Sequence, residues 1–505
     1  MHDPRSTRWR VALAFGAVSL LVLFSAWPGL LGGWVGDDHH MVKSPLYGDW
    51  SEVLRVFSRH AGHYLGEAGE PRTTWPYRPL TMLTLLLPHA LVPEPWLHHV
   101  IGWLMHIATG GLLLWALLCQ TPPERHPAAR GVSLTLIALF LLHPVTVEAY
   151  VHINGRSDLV AGLCLAGLAV VLLQRSLPRP TRWTLVALLA FLGAASKATF
   201  IPAAIALWLG LSLRSSQRRD DLRMGVPLGA ALLGYFGLRA ANVPFVGRLG
   251  ATENLARDIS AFADVPQLLA KSTAAIVSFR AEAMQSLAWE LLQPFSVSEW
   301  MGALVLIITA AALIARRDYG GVVLIAGFAL TVAPCVIVSR AFWFGFDRYL
   351  YMPLILVILA AAPHAVLGFE ATPRRTLWMV AAGVLVFLAA LGTRTSSLAY
   401  IDQTTYEAAM IDDHPDDPTT VYYMALAAKK GGQAERARTW LTQMPEPPWP
   451  VAIVERVGSL ANEYPDDEVC GRVHGQLESW LREAKGGDPR EQIREAAEGL
   501  ECEFQ

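Results

Sequence analysis

The sequence predicts an all-α, polytopic membrane protein: about eleven transmembrane helices followed by a C-terminal helical domain on the outer face. Three observations lead there. Of the 505 residues, 53% are hydrophobic and only 17% charged, against roughly 25% charged in soluble domains. The apolar residues gather in runs that approach the ~20 needed to cross a bilayer. Arginines recur in every second loop, as expected when basic loops stay on the cytoplasmic side. The net charge of -2 is uninformative about partners, and no nucleic-acid partner is expected.

Residues 11–35 form the first apolar run, preceded by Arg5, Arg8 and Arg10. The run is long for a signal-peptide core and lacks a small-x-small cleavage site. It therefore reads as a retained helix with its N-terminus in the cytoplasm. Further spans are expected at 98–119, 131–147, 158–174, 183–196, 199–213, 224–241, 299–315, 319–339, 349–366 and 376–396. Alternation from an inside N-terminus gives inside loops holding Arg125 and Arg130, then Arg175, Arg179 and Arg182. Next come Arg214, Arg218, Arg219 and Arg223, then Arg316 and Arg317, then Arg374 and Arg375. A one-helix error would break this pattern. The same parity places Asp37, Asp38 and the C-terminal region outside. Six lysines against 35 arginines, with abundant Ala, Gly and Leu, match a GC-rich bacterial genome. The expected location is then the inner membrane, with a periplasmic C-terminal domain.

Residues 1–400 make the membrane domain, with long outer loops at 36–97 and 242–298. The first loop contains a half-apolar stretch, Tyr77–Val92, that reads as an interfacial or re-entrant helix. In the second loop, Leu268–Leu292 reads as amphipathic and interfacial. Residues 401–505 carry more charge, Pro and Asp and no run long enough to cross. There, residues 416–444 fit a helix, a Lys-Gly-Gly turn and a second helix, with spacing that resembles a tetratricopeptide repeat. A generic helical hairpin fits as well. Cys470 and Cys502 could pair in an oxidising compartment. No cysteine spacing resembles a zinc site.

The polar residues that stand out all fall on the outer side. Gly36-Asp37-Asp38-His39-His40 follows the first span; two carboxylates at a membrane mouth suit a general base, and a solvated turn is the plainer alternative. Arg78, between Pro76 and Pro79, offers a planar fork suited to phosphate oxygens, or a snorkelling anchor. The cluster from His143-Pro144 through Glu148, His152 and Asn154 to Arg156-Ser157-Asp158 lies between two spans. Ionisable groups are expensive there and default to function. Ser157 or Asp158 could instead cap the next helix, and Arg156 could pair with Asp158. Lys197 follows Ser196 between two short spans. The last cluster, Arg340–Pro353, includes Arg348, Tyr349 and Tyr351, a composition suited to an anionic headgroup. Charges confined to one mouth argue against a transporter, whose polar sites reach the midplane.

The order Asp37-Asp38, Tyr77-Arg78-Pro79-Leu80, His98–His106, His143-Pro144, Glu148, Gly155-Arg156-Ser157-Asp158, Ser196-Lys197 and Arg348-Tyr349-Leu350-Tyr351-Met352-Pro353 resembles a known family. With the helical C-terminus, it is similar to the transmembrane and tetratricopeptide-repeat O-mannosyltransferases. More broadly it resembles bacterial members of the GT-C glycosyltransferase superfamily. The resemblance implies a GT-C-like bundle that moves a sugar, with mannose the model, from a polyprenyl-phosphate carrier to an acceptor hydroxyl on the outer face. It implies an acidic base in the first outer loop, Asp37 with Asp38 in support. The lipid phosphate would be held by Arg78, Arg156, Lys197 or Arg348, and His143, Glu148, Asn154, Asp158, Tyr349 and Tyr351 would line the substrate site. A single displacement predicts inversion at the anomeric carbon. No cofactor is expected to be required, a divalent cation at Asp37-Asp38 being the alternative. The acceptor would be a protein or glycan. Two features depart from the family. Ala198 stands where it tends to carry an acid, and the C-terminal repeats are few. The rival functions are a non-catalytic scaffold that binds a lipid and a protein partner, and a lipid-linked sugar transporter.

Overall fold

The structure is a computed structural model. It describes residues 4–35, 38, 49–58, 77–242, 262–279, 296–335, 347–413, 418–430, 434–445, 457–458, 460–461 and 467–483. Every regular element among them is helical. Asp37, His39, His40, Trp75, Pro76, residues 280–292, Arg340–Phe346 and Cys502 lie outside the described residues.

The chain divides into two compact units. One comprises Met1–Ala281, Phe295–Cys335 and Asp347–Tyr406; after Tyr406 the chain belongs to the second. The helices of the first are α1 (Pro4–Leu30), α2 (Trp50–Arg55), α3 (Pro79–Leu91), α4 (Pro95–Gln120), α5 (Ala129–Leu141) and α6 (Pro144–Val151). They continue with α7 (Arg156–Leu173), α8 (Arg179–Ala194), α9 (Phe200–Arg214), α10 (Arg218–Leu222), α11 (Gly225–Asn242) and α12 (Val265–Ser278). Then follow α13 (Val297–Ala315), α14 (Tyr319–Val332), α15 (Tyr351–Ala371), α16 (Arg375–Leu398) and α17 (Gln403–Asp413), whose later half enters the second unit.

Among the described residues, seven helical segments are long and apolar enough to cross a membrane: Trp9–Leu30, Pro95–Gln120, Ile153–Leu173, Arg218–Asn242, Val297–Ala315, Asp347–Ala371 and Arg375–Leu398. The pair α5–α6, bent by 60°, makes an eighth if counted as one span. The sequence expectation of eleven exceeds this for a geometric reason. Helices α8, α9 and α14 have 16, 15 and 14 residues. At about 1.5 Å per residue they fall short of a hydrocarbon core of about 30 Å. The 131–147 run is also not one straight helix, because it breaks before Pro144. The half-apolar stretch Tyr77–Val92 forms α3, which buries Met82, Leu85 and Leu86.

In an apolar bundle each backbone group freed by a proline or a bend needs a partner. Pro363 inside α15 has no N–H for Leu359 O. Arg214 Nη1 (2.7 Å) and Gln120 Nε2 (3.2 Å) donate to that oxygen instead. Pro28 inside α1 frees Phe24 O, and Arg394 donates to it at 3.4 Å. At the α5–α6 bend, His106 Nε2 donates to Leu141 O (3.0 Å) and Thr393 Oγ1 to Leu142 O (2.6 Å). Val145 N–H turns back to His143 Nδ1 at 3.3 Å.

Arg214 is shared. Its guanidinium also pairs with Asp318, the N-cap of α14, which accepts from Gly321 N–H (2.9 Å) and His364 Nε2 (2.8 Å). Burial works to raise the Asp318 carboxyl. Hydrogen bonds from Arg214, Gly321 N–H and His364 outweigh it and hold the group below the usual carboxylate range.

The second unit contains α18 (Pro418–Lys430), α19 (Ala434–Thr442) and α20 (Asp467–Glu483). Helix α18 packs on α19, and α19 on α20. Val421, Ala425 and Ala428 lie at i, i+4 and i+7 and meet Ala437, Leu441, Val473 and Leu477 in one core. The small side chains let the hairpin helices approach closely. The expected Lys-Gly-Gly turn is at its place in the sequence, its glycines outside the described residues. Cys470 is disulfide-bonded, whereas Cys119, Cys164 and Cys335 are free thiols.

The folded value of Asp318 lies below its unfolded value, so its contribution is present above about pH 4 and is lost as pH falls through the folded value. Asp318→Asn should cost about 1.5–3 kcal/mol at neutral pH, read as a lower melting temperature in detergent. The gap to wild type should narrow in acid.

Candidate functional site

The local sequence places the site residues in three steps. First, Arg78 precedes Pro79, which occupies the first turn of α3 and needs no N–H partner. The next donors go to the end of α8: Leu80 N–H to Ala195 O (3.2 Å) and Thr81 Oγ1 to Ser196 O (3.0 Å). Tyr235 OH donates to Tyr77 O at 3.1 Å. This clip fixes Arg78 beside Ser196-Lys197. Second, α6 ends at His152, and the turn Ile153–Gly155 leads into α7. A Cβ on Gly155 would stand 2.6 Å from Ala149 O and Glu148 O, so the turn requires glycine. Third, a short 3-10 turn at Asp347–Leu350 brings Arg348 and Tyr349 onto α6.

Asp38 is fully buried. Its carboxylate accepts from Asn154 N–H (2.9 Å) and Ile153 N–H (3.4 Å) and lies 3.3 Å from His152 Nε2. Arg348 Nη1 donates to His152 Nδ1 at 3.2 Å. That bond leaves the neutral ring its proton on Nε2, facing Asp38. Glu148 Oε2 accepts from Arg348 N–H at 3.1 Å, while Oε1 lies 3.7 Å from the guanidinium and 3.8 Å from His152. Arg348 also stands over the Tyr349 ring, 5.9 Å from its centroid. On that ring Lys197 Nζ lies at 4.0 Å, and it pairs with Asp158 at 2.5 Å. Asp158 further accepts from Ser157 Oγ at 3.3 Å. Arg78, half-buried, lies within electrostatic reach of Tyr349, Asp158 and Arg348, and its buried Nε has no hydrogen-bond partner among the described residues.

The result is one continuous path: Asp38, His152, Arg348, Tyr349, Lys197, Asp158. Its carboxylate end holds Asp38 and Glu148. Its cationic end gathers Arg78, Lys197 and Arg348 around Asp158, Arg348 also meeting Glu148, and the partnerless Nε of Arg78 there suits an anion.

Several expectations come out differently. Arg156 does not pair with Asp158; Nη2 donates to His98 O at 2.7 Å, and Lys197 takes the carboxylate. Neither Ser157 nor Asp158 caps α7, since Gly155 stands at its N-cap. His143 has both ring nitrogens engaged in the protein, Nδ1 with Val145 N–H and Nε2 with Ile276 O at 2.8 Å, and its ring stacks on Phe279. Tyr351 points inward to His106 Nδ1 at 2.9 Å. Asn154 meets Asp38 through its backbone. His152, part of the polar cluster but not of the expected substrate-lining set, now belongs with the site, and so do Tyr400 and Tyr406, which the sequence did not single out, with rings 6.0 and 6.3 Å from His152. The i, i+4 spacing of Glu148 and His152 was the sequence signal for the first. Among the described residues no group of three or more His, Cys, Asp or Glu side chains converges as metal ligands.

Over part of its length the chain is similar to an O-mannosyl-transferase. A stretch of 131 residues is 30% identical to the protein O-mannosyl-transferase Tmtc3 of Drosophila melanogaster, covering 21% of this chain and 14% of that relative. The match thus spans a small part of either protein. No family model matches the chain.

Removing one partner of a buried ion pair strands the other charge. Asp158→Asn should therefore cost about 3–5 kcal/mol in detergent unfolding. The double variant Asp158→Asn/Lys197→Met should recover most of that loss, and strictly additive losses would show that the pair is not coupled.

Proposed function

We propose that the protein is an inverting glycosyltransferase that moves a sugar, mannose in the first instance, from a polyprenyl-phosphate carrier to an acceptor hydroxyl. The observation that carries this reading is the single path joining a buried carboxylate end to a cation-rich end. The distant similarity to an O-mannosyl-transferase supports the same chemistry.

In this mechanism the cationic end holds the carrier phosphate through Lys197, Arg78 and Arg348. Both oxygens of Asp38 are already engaged, which makes it an anchor for its chain neighbour. Asp37 is then the base. It takes the acceptor proton as the hydroxyl oxygen bonds to the anomeric carbon. The bond from that carbon to the phosphate oxygen breaks on the opposite face, and the electron pair leaves with the phosphate. A phosphate leaving group needs little protonation, so one base suffices, and electrostatic stabilisation supplies the rest. No cofactor is required in this scheme.

The wider setting is part of the proposal. The α5–α6 pair and the shorter helices α8, α9 and α14, matched by local thinning of the bilayer, count with the seven long segments as eleven crossings. The N-terminus is cytoplasmic in a bacterial inner membrane. The C-terminal helices, tetratricopeptide-like, face the periplasm and present a protein or glycan acceptor.

Purified protein with labelled polyprenyl-phosphate mannose tests the reading. Asp37→Asn should lower transfer by about 10²–10⁴-fold, Asp38→Asn should lower it less, and a chelator should change nothing. Donor binding with no transfer or hydrolysis, and both variants indistinguishable from wild type, would instead identify a scaffold.

A further inference from the structure

Beside the Asp38 end lies a buried group that the mechanism above does not use. Helix α3 carries His89 in its last turn, and the short connection at 92–94 returns the chain to His98 near the start of α4. The two imidazoles lie 5.9 Å apart. The Trp34 ring stands 5.8 Å from His89 and 5.5 Å from His98, inclined at 61° to both. Arg156 opens α7, and its Nη2 donates to His98 O at 2.7 Å, which holds the guanidinium against α4. Arg156 is also within electrostatic reach of Asp38.

His98 is 0% exposed and Arg156 1%. Among the described residues, neither Nδ1 nor Nε2 of His98 has a hydrogen-bond partner, and neither has Nη1 of Arg156. Buried polar atoms are nearly always satisfied, so three bare ones together point to a water or a ligand. An imidazole buried beside a guanidinium cation is neutral. One ring nitrogen then donates and the other accepts, while Arg156 Nη1 only donates. A phosphate or carboxylate has no proton for the accepting nitrogen. A hydroxyl both donates and accepts, and hydroxyls satisfy the whole set. Trp34, half-buried, adds an apolar ring wall, which suits the C–H face of a sugar and gives a water nothing.

We propose that His98 and Arg156, with Trp34 as a side wall, form a subsite that binds the hydroxyls of a sugar ring. The proposal rests on the glycosyltransferase reading and gives the sugar its place in it. The subsite adjoins the Asp38 end through Arg156, whereas the phosphate is held by Lys197, Arg78 and Arg348. The sugar is either the hexose on the lipid carrier or one on a glycan acceptor, since both present the same hydroxyls. An imidazole kept for stability alone would find its partners within the chain. His98 instead destabilises the empty protein and is satisfied only when hydroxyls fill the subsite.

Full-length protein in detergent is titrated with polyprenyl-phosphate mannose, bare polyprenyl phosphate and methyl mannoside. His98→Phe keeps a ring and removes both nitrogens. Without ligand it should melt no lower than wild type, because it deletes two partnerless polar atoms, and it should bind bare polyprenyl phosphate as wild type does. If the sugar is the carrier's, wild type binds the mannosyl carrier about tenfold more tightly than the bare one, and His98→Phe erases that preference. If the sugar is an acceptor's, His98→Phe weakens methyl mannoside about tenfold and leaves both lipids unchanged. Where the variant fails to fold, wild type is titrated with singly deoxygenated mannoses on the carrier and as methyl glycosides. At least one of them should bind about tenfold less tightly than its parent, since a site built for a hydroxyl rejects the analogue lacking it. A folded His98→Phe that binds all three probes like wild type, or deoxygenated sugars that all bind like their parents, would show that the nitrogens hold an ordered water only and would overturn the subsite. A wild type that binds neither lipid would instead overturn the glycosyltransferase reading, and the subsite with it.

Discussion

The arrangement depends on one bend. Between Leu141 and Pro144 the α5–α6 pair turns by 60°, and an apolar surrounding tolerates this only if the freed backbone groups find partners. They find them on two other helices, His106 from α4 and Thr393 from α16, and within the bend itself, at the side chain of His143. The turn sends Glu148 and His152 along α6 toward Arg348 rather than further through the bundle. His106 is thus structural in this protein, and its stacking on Tyr150 and bond to Tyr351 serve the same joint.

The same rule organises the opposite part of the unit. Pro363 leaves Leu359 O bare, and Arg214 answers it while neutralising Asp318. Arg214, which reads as a topology marker in the sequence, therefore does a second job. Arg214 and Arg394 each satisfy a carbonyl that a proline on another helix has released.

Hydropathy and arginine spacing made the helical membrane class legible, because both report on averages over a whole segment. Segment ends were less legible. Helix α14, in the run at 319–339, ends at Val332, and 131–147 hid a break that Pro144 alone hinted at. In the site, residue types were legible and partners were not. Asp158 and Lys197 are 39 positions apart, and nothing local tells Lys197 from Arg156 as the counter-charge. Arg156 sits on the same helical turn as Asp158, yet a main-chain oxygen of α4 claims its guanidinium. His152 was legible in principle from Glu148, and the tyrosines were not, since their contact to it forms across more than 240 residues of chain.

Glu148 grips Arg348 in two ways, and only one depends on the arginine. The bond at 3.1 Å comes from the main-chain N–H. Exchanging the side chain at position 348 would leave that bond in place, and with it the register of the turn leading into α15. Charge at the anion end can then be varied at nearly constant backbone geometry. In a lineage under selection, position 348 is where the charge of this end can drift while the scaffold stays fixed.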